Sequence, residues 1–468
     1  MLYPVVLSGG VGTRLWPISR NNLPKQFVKI FNNKSMFQKT MERISDKDKF
    51  HPPYILTNIG QRYLTEAQLN DHSIEKARIF LEPQQKGTAP AIMLAALDIA
   101  ARDPEGVMLV LSTDNEIKNL RAFQSILLSA GQVAKDNKRF LLFSSKPTYP
   151  ETGYGYILAG KIINKGAEGV KAYEIQHFKE KPSALEVEAC IKAGYQWNSG
   201  IFVFPVKMFI EDMKKFAPQI YKQCSLAYVN AETMKAKSHE WIFVDQKAFA
   251  ECPEDSIDCA LMEKTEKSSV IKMSIGWYDV GSWKTIYEIA NKDQDGNVLK
   301  GNVISINSRN SYVMSSDESR VLTTIGVNDL TIIQTSDATL ILPRSKSQDV
   351  RKVTALLKEK KQDYFLCDSR TYRSWGFYDI IKHDTKMVLK KLILYSKTSK
   401  TSIGNKKAKH FIVNKGKVKV VWEAQKVILR KNESVFIPPH VDYTVTNLSK
   451  FESHLIKMEA KASKFEKV

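Results

Sequence analysis

The sequence predicts an α/β fold with a mostly parallel sheet, followed by a smaller β-rich part. Over roughly the first 285 residues, apolar strand-like runs alternate with amphipathic helical patterns, which is typical of a sheet covered by helices on both faces. Short β-rich pieces separated by polar turn residues follow to about residue 345. The last block, from about Tyr372, is again rich in strands and predicts a β-barrel or a jelly roll.

The α/β part contains five clear strand candidates: YPVVLSG, PYILTN, GVMLVLST, FLLFSS and GIFVFP. Between them the stretch AIMLAALDIAARD places apolar residues at helical spacing and predicts a buried helix. Ligands of such sheets bind beyond the carboxyl ends of the strands. We therefore expect the binding site in the loops that follow YPVVL and GVMLVL.

The remaining chain is predicted to form two further parts. Five short pieces, NVISINS, SYVMSS, VLTTIGV, LTIIQTS and ATLILP, predict either a short β-solenoid, similar to a left-handed β-helix, or a β-meander. A charged helix from residue 347 to residue 361 leads into the β-barrel. The predicted domains are residues 1–290, 291–346 and 347–468.

The composition argues against several classes of protein. No apolar run approaches 18 residues, and no basic segment precedes a long apolar stretch at the N-terminus, so we expect neither a membrane span nor a secretory signal. Five scattered cysteines without a CxxC pair indicate reduced thiols in the cytoplasm. The net charge is +20, and residues 371–468 hold 21 Lys and Arg against 8 Asp and Glu.

We interpret this charge as a lysine-rich solvated surface, with an anion site in the C-terminal block as the alternative. Nucleic-acid binding is not expected, because the sequence shows neither a known module nor aromatic residues interleaved with the basic ones.

The loop LSGGVGTRLWP follows the first strand and predicts an anion site. Gly9, Gly10 and Gly12 allow backbone N–H groups to approach an anion closely. Arg14 and Lys25 add two cations, which suits a triphosphate that loses pyrophosphate. The pattern GGxGTRL is neither a Walker motif nor a dinucleotide fingerprint.

Seven further motifs follow in order over about 280 residues: LEPQQKGTAPAI, VLSTDNEI, PETGYGYI, FKEKPS, WNSGIFVF, SIDCALMEK and GWYDVGSW. With the opening loop they resemble the sugar-nucleotide pyrophosphorylases, and above all the bacterial mannose-1-phosphate guanylyltransferases. The resemblance implies a Rossmann-like nucleotidyltransferase core that joins GTP and mannose 1-phosphate, for GDP-mannose and polysaccharide biosynthesis. Neither a covalent intermediate nor a general base is expected, because the attacking phosphate is already an anion.

The resemblance also implies site residues. Asp114 and Asp279 would be the ligands of Mg²⁺, which takes few carboxylates and completes its shell with phosphate oxygens and water. Arg14 and Lys25 would be catalytic, by neutralising charge on the reacting phosphates. The expected nucleotide contacts are Gly9, Gly10, Gly12, Thr13, Glu82 and Thr88, with Glu82 facing the base. The expected sugar-phosphate contacts are Gly153, Glu180, Lys181 and Asn198.

Two stretches depart from the family pattern. Lys86-Gly87 stands where relatives usually carry Arg-Asn, and Asn115 stands where they usually carry His. Nucleotide preference is therefore open, and a nucleotidyltransferase for another hexose 1-phosphate or another nucleotide is the first alternative. A non-catalytic nucleotide-sugar sensor is the second, although retention of both cations and both carboxylates argues against it.

The segment RSWGFYDIIKHD resembles the start of the cupin domain in long-form relatives, many of which also isomerise fructose 6-phosphate. Their metal ligands are Gln, two His and Glu. Here Gly404 replaces the Gln, Lys409 the Glu and Tyr443 one His, while His410 and His440 match no ligand position. We expect a degenerate cupin-like domain without isomerase activity, and a homodimer is the candidate assembly.

Overall fold

A computed structural model describes residues 1–10, 12–31, 33–70, 74, 76–165, 169–236, 239–362, 365, 367–383 and 387–461. The chain divides into two compact units, Met1–Phe365 and Leu366–Val468. Within the described ranges, no helix is both long enough and apolar enough to cross a membrane.

The first unit is built on an eleven-stranded sheet. Its strands, in chain order, are β1 (Tyr3–Leu7), β2 (Tyr54–Asn58), β3 (Arg78–Glu82), β4 (Val107–Ser112), β5 (Phe140–Ser145), β6 (Tyr156–Lys165), β7 (Lys171–Lys179), β8 (Gln196–Pro205), β9 (Glu232–Ala236), β10 (His239–Phe243) and β11 (Ser268–Met273). Their order across the sheet is β9-β10-β3-β2-β1-β4-β8-β5-β11-β7-β6. The run from β10 to β4 is parallel, whereas β8 is antiparallel to β4 and β5.

Ten α-helices belong to the described part of this unit. They are α1 (Met36–Arg43), α2 (Arg62–Asn70), α3 (Thr88–Arg102), α4 (Leu120–Asn137), α5 (Ala184–Lys192), α6 (Val206–Phe216), α7 (Pro218–Val229), α8 (Gln246–Ala250), α9 (Trp283–Ile289) and α10 (Val350–Glu359). The predicted buried helix is confirmed as α3, which packs against β1, β2, β3, α6 and α7. Its near-continuous apolar sequence follows from this burial between the sheet and other helices.

The predicted solenoid is a stack of short strands: β12 (Val298–Lys300), β13 (Val303–Ile306), β14 (Tyr312–Ser315), β15 (Leu322–Ile325), β16 (Leu330–Gln334) and β17 (Thr339–Pro343). Strands β12, β14 and β16 pair in parallel in one layer, and β13 and β15 pair in parallel in another. Helix α10 buries Val350 in the same core as Val298 and Tyr312. It lies in the first unit, whereas the sequence grouped it with the C-terminal domain.

The second unit is a pair of antiparallel sheets. Its strands are β18 (Arg370–Arg373), β19 (Gly376–His383), β20 (Met387–Leu394), β21 (Ser399–Ser402), β22 (Lys407–Lys415), β23 (Val418–Trp422), β24 (Gln425–Leu429), β25 (Ser434–Ile437), β26 (Tyr443–Asn447) and β27 (Ser453–Lys461). One sheet has the order β18-β19-β20-β27-β22-β25 and the other β21-β26-β23-β24. Both sheets contribute to one apolar core that includes Phe411, Val420 and Leu455, as expected for the predicted β-barrel.

Candidate active site

A cavity of about 490 Å³ lies where β1, β3 and β4 end, at the edge of the sheet where the sequence predicted the binding site. Its lining includes Leu7, Glu82 and Ser112 from these strand ends. A second cavity of about 430 Å³ shares Lys25, Asp114 and Asp279 with the first. The two cavities therefore meet at one cation and two carboxylates.

The glycine loop is held by Gln26, a residue to which the sequence analysis gave no role. Its Nε2 donates hydrogen bonds to Ser8 O at 3.1 Å and to Gly10 O at 2.9 Å. Gly12 has a φ of 57°, and a Cβ on it would lie 2.5 Å from Lys25 Cγ. Only glycine avoids both the backbone strain and this clash, so the loop and the Lys25 side chain fit together as a unit.

A short antiparallel ribbon brings the two aspartates together. Strand Asn115–Ile117 pairs with strand Trp277–Asp279, so that Asp279 lies opposite Asn115. Val280 N donates to Asp114 O at 2.9 Å and extends this pairing by one residue. Residues that are far apart in sequence thus place their carboxylates at one point.

Lys25 lies between these carboxylates. Its Nζ is 2.9 Å from Asp114 Oδ2 and 3.8 Å from Asp279 Oδ1. Burial would lower the pKa of Lys25, but the two carboxylates outweigh it and raise the pKa, so the ammonium stays charged. Burial would likewise raise the pKa of Asp114, yet the Lys25 charge and hydrogen bonds from Ser112 and Lys25 lower it.

The aspartate pair fits a divalent metal. Burial raises the pKa of Asp279 to about 6, against the opposing charge of Lys25. Its Oδ1 is buried and has no hydrogen-bond partner among the described residues. An uncommitted buried carboxylate oxygen beside a second carboxylate is the donor set of a metal that binds few protein ligands. Asp114 and Asp279 are the residues that would hold it.

Arg14 lies on the short helix Thr13–Leu15 and lines the second cavity. A Cβ built on Gly281 would lie 3.6 Å from Arg14 Nη1 and 3.3 Å from Asp279 Oδ2, so the guanidinium is close to the aspartate pair. Arg351 of α10 lines the same cavity, although the sequence gave it no role. This cavity therefore collects Arg14, Arg351 and Lys25, which suits several phosphate groups.

The first cavity is also lined by polar groups that suit sugar hydroxyls. Lys181 Nζ is 2.7 Å from Glu180 Oε1, and a Cβ on Gly155 would lie 2.7 Å from Glu180 Oε2. Asn198 Nδ2 donates to Asp258 Oδ1 at 2.9 Å. Burial, reinforced by the nearby Glu180 charge, raises the pKa of Asp258 to about 7. Asp258 belongs to the motif SIDCALMEK but received no role from the sequence.

Glu82 is buried at the end of β3, close to the glycine loop. A Cβ on Gly9 would lie 3.6 Å from its Oε2, and burial raises the pKa of Glu82 to about 8. Thr88 begins α3 and accepts a hydrogen bond from Ile257 N at 2.8 Å through its Oγ1.

The departure at Lys86-Gly87 has a structural reason. Gly87 has a φ of 84°, and a Cβ on it would lie 2.2 Å from Asp255 O, so the backbone leaves no room for a side chain. Lys86 Nζ donates to Ala250 O at 2.7 Å. The local fold here requires glycine whatever base is bound.

The chain is similar to known proteins over nearly its whole length. Residues 3–296 match the model of the family described as Nucleotidyl transferase. The mannose-1-phosphate guanylyltransferase of Salmonella typhimurium is 37% identical over 463 residues, which cover 98% of this chain and 95% of that protein. The chain belongs to the mannose-1-phosphate guanylyltransferase family.

Other matches agree with this guanylyltransferase assignment. The xanthan biosynthesis protein XanB of Xanthomonas campestris is 34% identical, covering 98% of this chain and 95% of that protein. The crystal structure described as mannose-1-phosphate geranyltransferase from Thermus thermophilus superposes with a TM-score of 0.66 at 26% identity, covering 76% of this chain and 99% of that chain. Residues 301–357 match the MannoseP isomerase/GMP-like beta-helix domain and residues 360–465 the mannose-6-phosphate isomerase C-terminal family.

The structure gathers the predicted guanylyltransferase residues around the two cavities. The first cavity is lined by Gly9, Gly10, Lys25, Glu82, Thr88, Asp114, Gly153, Glu180, Lys181, Asn198 and Asp279, and the second by Gly12, Arg14, Lys25, Asp114, Gly153 and Asp279. Thr13 begins the short helix Thr13–Leu15, and its side chain is outside the described part of the structure. The individual roles of these residues stay predictions.

Proposed function

We propose that this chain transfers GMP from GTP to mannose 1-phosphate, giving GDP-mannose and pyrophosphate. The observation that supports this most is the position of Lys25 between Asp114 and Asp279, where the two cavities meet. In an in-line displacement the attacking and the leaving oxygens lie on opposite sides of the transferred phosphoryl group. Positive charge is needed on both sides to offset the negative charge of these oxygens. Base and sugar would occupy opposite ends of the first cavity, and pyrophosphate would leave toward the second.

In the proposed reaction a phosphate oxygen of mannose 1-phosphate attacks the α-phosphorus of GTP. A new P–O bond forms as the bond between the α-phosphorus and the bridging oxygen of pyrophosphate breaks, and the electron pair leaves with pyrophosphate. Lys25 would neutralise charge at the α-phosphate, and Arg14 with Arg351 would neutralise the leaving group. Glu180 and Asn198 would orient the sugar so that its phosphate is in line.

We propose Mg²⁺ as the metal held by Asp114 and Asp279. When bound, such an ion supplies positive charge to the phosphate oxygens and helps to fix their geometry. The oxygen-only donor set suits Mg²⁺ better than softer metals, which prefer nitrogen or sulfur ligands.

A substrate panel tests the proposed specificity. GTP with mannose 1-phosphate is expected to give the highest kcat/KM among common nucleoside triphosphates and hexose 1-phosphates. A clear preference for UTP or dTTP, or for glucose 1-phosphate, would replace the proposal with the first alternative.

The Glu82 carboxylate is expected to make GTP binding pH-dependent. An ionised carboxylate can accept hydrogen bonds from the N1–H and N2–H groups of guanine, whereas the protonated acid at pKa about 8 cannot accept both. Raising the pH from about 7 to about 8.5 deprotonates Glu82 and should tighten GTP binding roughly tenfold. Equilibrium titration with GTP at each pH measures this.

Two variants complete that titration. Glu82→Gln should bind GTP more weakly and show a flat profile, while the exposed Glu105→Gln should keep the wild-type slope. An unchanged slope in Glu82→Gln would remove Glu82 from base recognition.

We further propose that the C-terminal domain lacks isomerase activity. Lys409 is buried at the position expected for a metal-binding Glu. His410 stands between Lys409 and Phe411 in the strand, so its side chain lies on the face opposite to these two buried residues. His440 is exposed. Across the described ranges no three His, Cys, Asp or Glu side chains are grouped as metal ligands would be. We expect no conversion of fructose 6-phosphate above background, and a chelator-sensitive conversion would contradict this.

We propose the cytoplasm as the compartment of this chain. Among the described residues no two cysteines form a disulfide, and Cys224 Sγ and Cys252 Sγ lie 3.7 Å apart without a bond, which supports a reducing environment. The homodimer stays a prediction, which size-exclusion chromatography with light scattering would test.

A further inference from the structure

The second unit holds three lysines, Lys400, Lys409 and Lys457, around the buried Tyr443. Lys390 shares the ion-pair partner Glu459 with Lys457, and the four residues are here called the lysine cluster. The ammonium nitrogens of Lys400, Lys409 and Lys457 lie 5.1, 5.8 and 5.4 Å from the centre of the Tyr443 ring. Lys400 and Tyr443 belong to the smaller sheet, and the other three lysines belong to the larger one. The cluster therefore lies between the two sheets.

Two members of the lysine cluster are almost completely buried. Lys409 is 1% exposed and Lys457 is 5% exposed. Lys409 Nζ has no hydrogen-bond partner in the described part of the chain. A buried ammonium without a partner is unfavourable, so such a group is retained where something else supplies the missing charge or hydrogen bonds.

The carboxylates in contact with the lysine cluster do not balance its positive charge. Glu459 contacts both Lys457 and Lys390, the latter at 3.4 Å. Lys400 donates to two neutral hydroxyls, those of Ser402 and Tyr443. Among the described residues, the structure gives neither Lys400 nor Lys409 a carboxylate ion-pair partner. Glu459 and, for Lys409, Asp442 act on these two ammonium groups only from beyond ion-pair contact, and burial outweighs them.

We propose that the lysine cluster binds a phosphate group, either inorganic phosphate or the phosphate of a small phosphomonoester. Lys400 and Lys409 supply two positive charges, which match a phosphate dianion. The hydroxyls of Ser402 and Tyr443 lie beside Lys400 and can donate to further phosphate oxygens. Lys400 and Ser402 are half-buried, so solvent reaches the lysine cluster at these two residues.

The electrostatics of the cluster agree with this geometry. Burial lowers the pKa of both Lys400 and Lys409, and the neighbouring Lys457 ammonium adds to the effect. A bound dianion would reverse that penalty by pairing with both ammonium groups. This inference does not depend on the proposed guanylyl transfer, because the residues of the cluster all lie in the second unit.

Calorimetric titration of the full chain with inorganic phosphate and, separately, with fructose 6-phosphate tests the proposal. Wild type should show saturable binding, and Lys409→Met should lose at least about tenfold in affinity. The exposed Lys426→Met and the active-site variant Lys25→Met should retain the binding. At least tenfold tighter binding of fructose 6-phosphate would identify a phosphomonoester as the ligand, and equal affinities would identify free phosphate.

Thermal unfolding of the same variants provides a second test of phosphate binding by the lysine cluster. In phosphate-free buffer Lys409→Met should unfold at the same or a higher temperature, because it removes an unpaired buried charge; Lys400→Gln provides a second, half-buried position if Lys409→Met does not fold. Absence of saturable binding in wild type would overturn the proposal. Binding that is lost in Lys25→Met but kept in Lys409→Met would assign the phosphate to the active site and overturn it equally.

Discussion

Asp279→Asn is expected to reduce pyrophosphate release from GTP and mannose 1-phosphate by at least about 10³-fold. The substitution keeps the size of the side chain but removes the charge from the buried Oδ1, which has no hydrogen-bond partner in the described structure. Metal affinity should fall with activity, because only Asp114 would remain as a carboxylate ligand. A coupled pyrophosphate assay over a range of Mg²⁺ concentrations measures both effects.

Stability should respond in the opposite sense to activity. Asp279→Asn removes one of two carboxylate charges that are buried close together, so the unfolding temperature should stay the same or rise. The control is Asp295→Asn, an exposed aspartate of the same unit, which should match wild type in both assays. Near-wild-type activity in Asp279→Asn would remove this residue from the metal site.

Lys25→Met is expected to lower kcat by about 10²- to 10³-fold. Lys25 is the cation that lies against both carboxylates, and in the proposed reaction it faces the α-phosphate. Its loss leaves Asp114 and Asp279 as two buried like charges, so the metal-free variant should also unfold at a lower temperature. Steady-state kinetics and thermal unfolding measure the two effects.

Divalent metal distinguishes a catalytic from a structural role for Lys25. Added Mg²⁺ should recover much of the lost unfolding temperature in Lys25→Met, since it neutralises the same carboxylates, but should not recover kcat. Lys29→Met, which changes an exposed lysine four residues further along the chain, is the matched control. Full recovery of kcat by Mg²⁺ would show that Lys25 serves only to neutralise Asp114 and Asp279 when no metal is bound.

The sequence could indicate most of this fold because its signals are local. Strand and helix periodicities predict β1, β4 and α3, and the rule that ligands bind at strand ends places the site after them. The pairing of Asp114 with Asp279 required the resemblance, since no spacing in the chain shows that a two-strand ribbon joins them. The requirement for glycine at position 87 also emerges only from the approach of Asp255 O.

Other features of the molecule depend on tertiary contacts that the sequence does not show. Gln26 acts through side-chain hydrogen bonds to backbone carbonyls, which many glutamines could make. Arg351 reaches the second cavity from α10, a helix that the sequence grouped with another domain. The sequence identifies Lys409 only as the residue at the position of a metal-binding Glu, and its burial emerges only from the structure.

The most direct test of the central claim is product identification after incubation of the full chain with GTP, mannose 1-phosphate and Mg²⁺. We predict GDP-mannose and pyrophosphate in equal amounts, with no release of pyrophosphate when mannose 1-phosphate is omitted. Binding of GTP by well-folded protein without formation of either product would contradict guanylyl transfer and favour a nucleotide-sugar sensor.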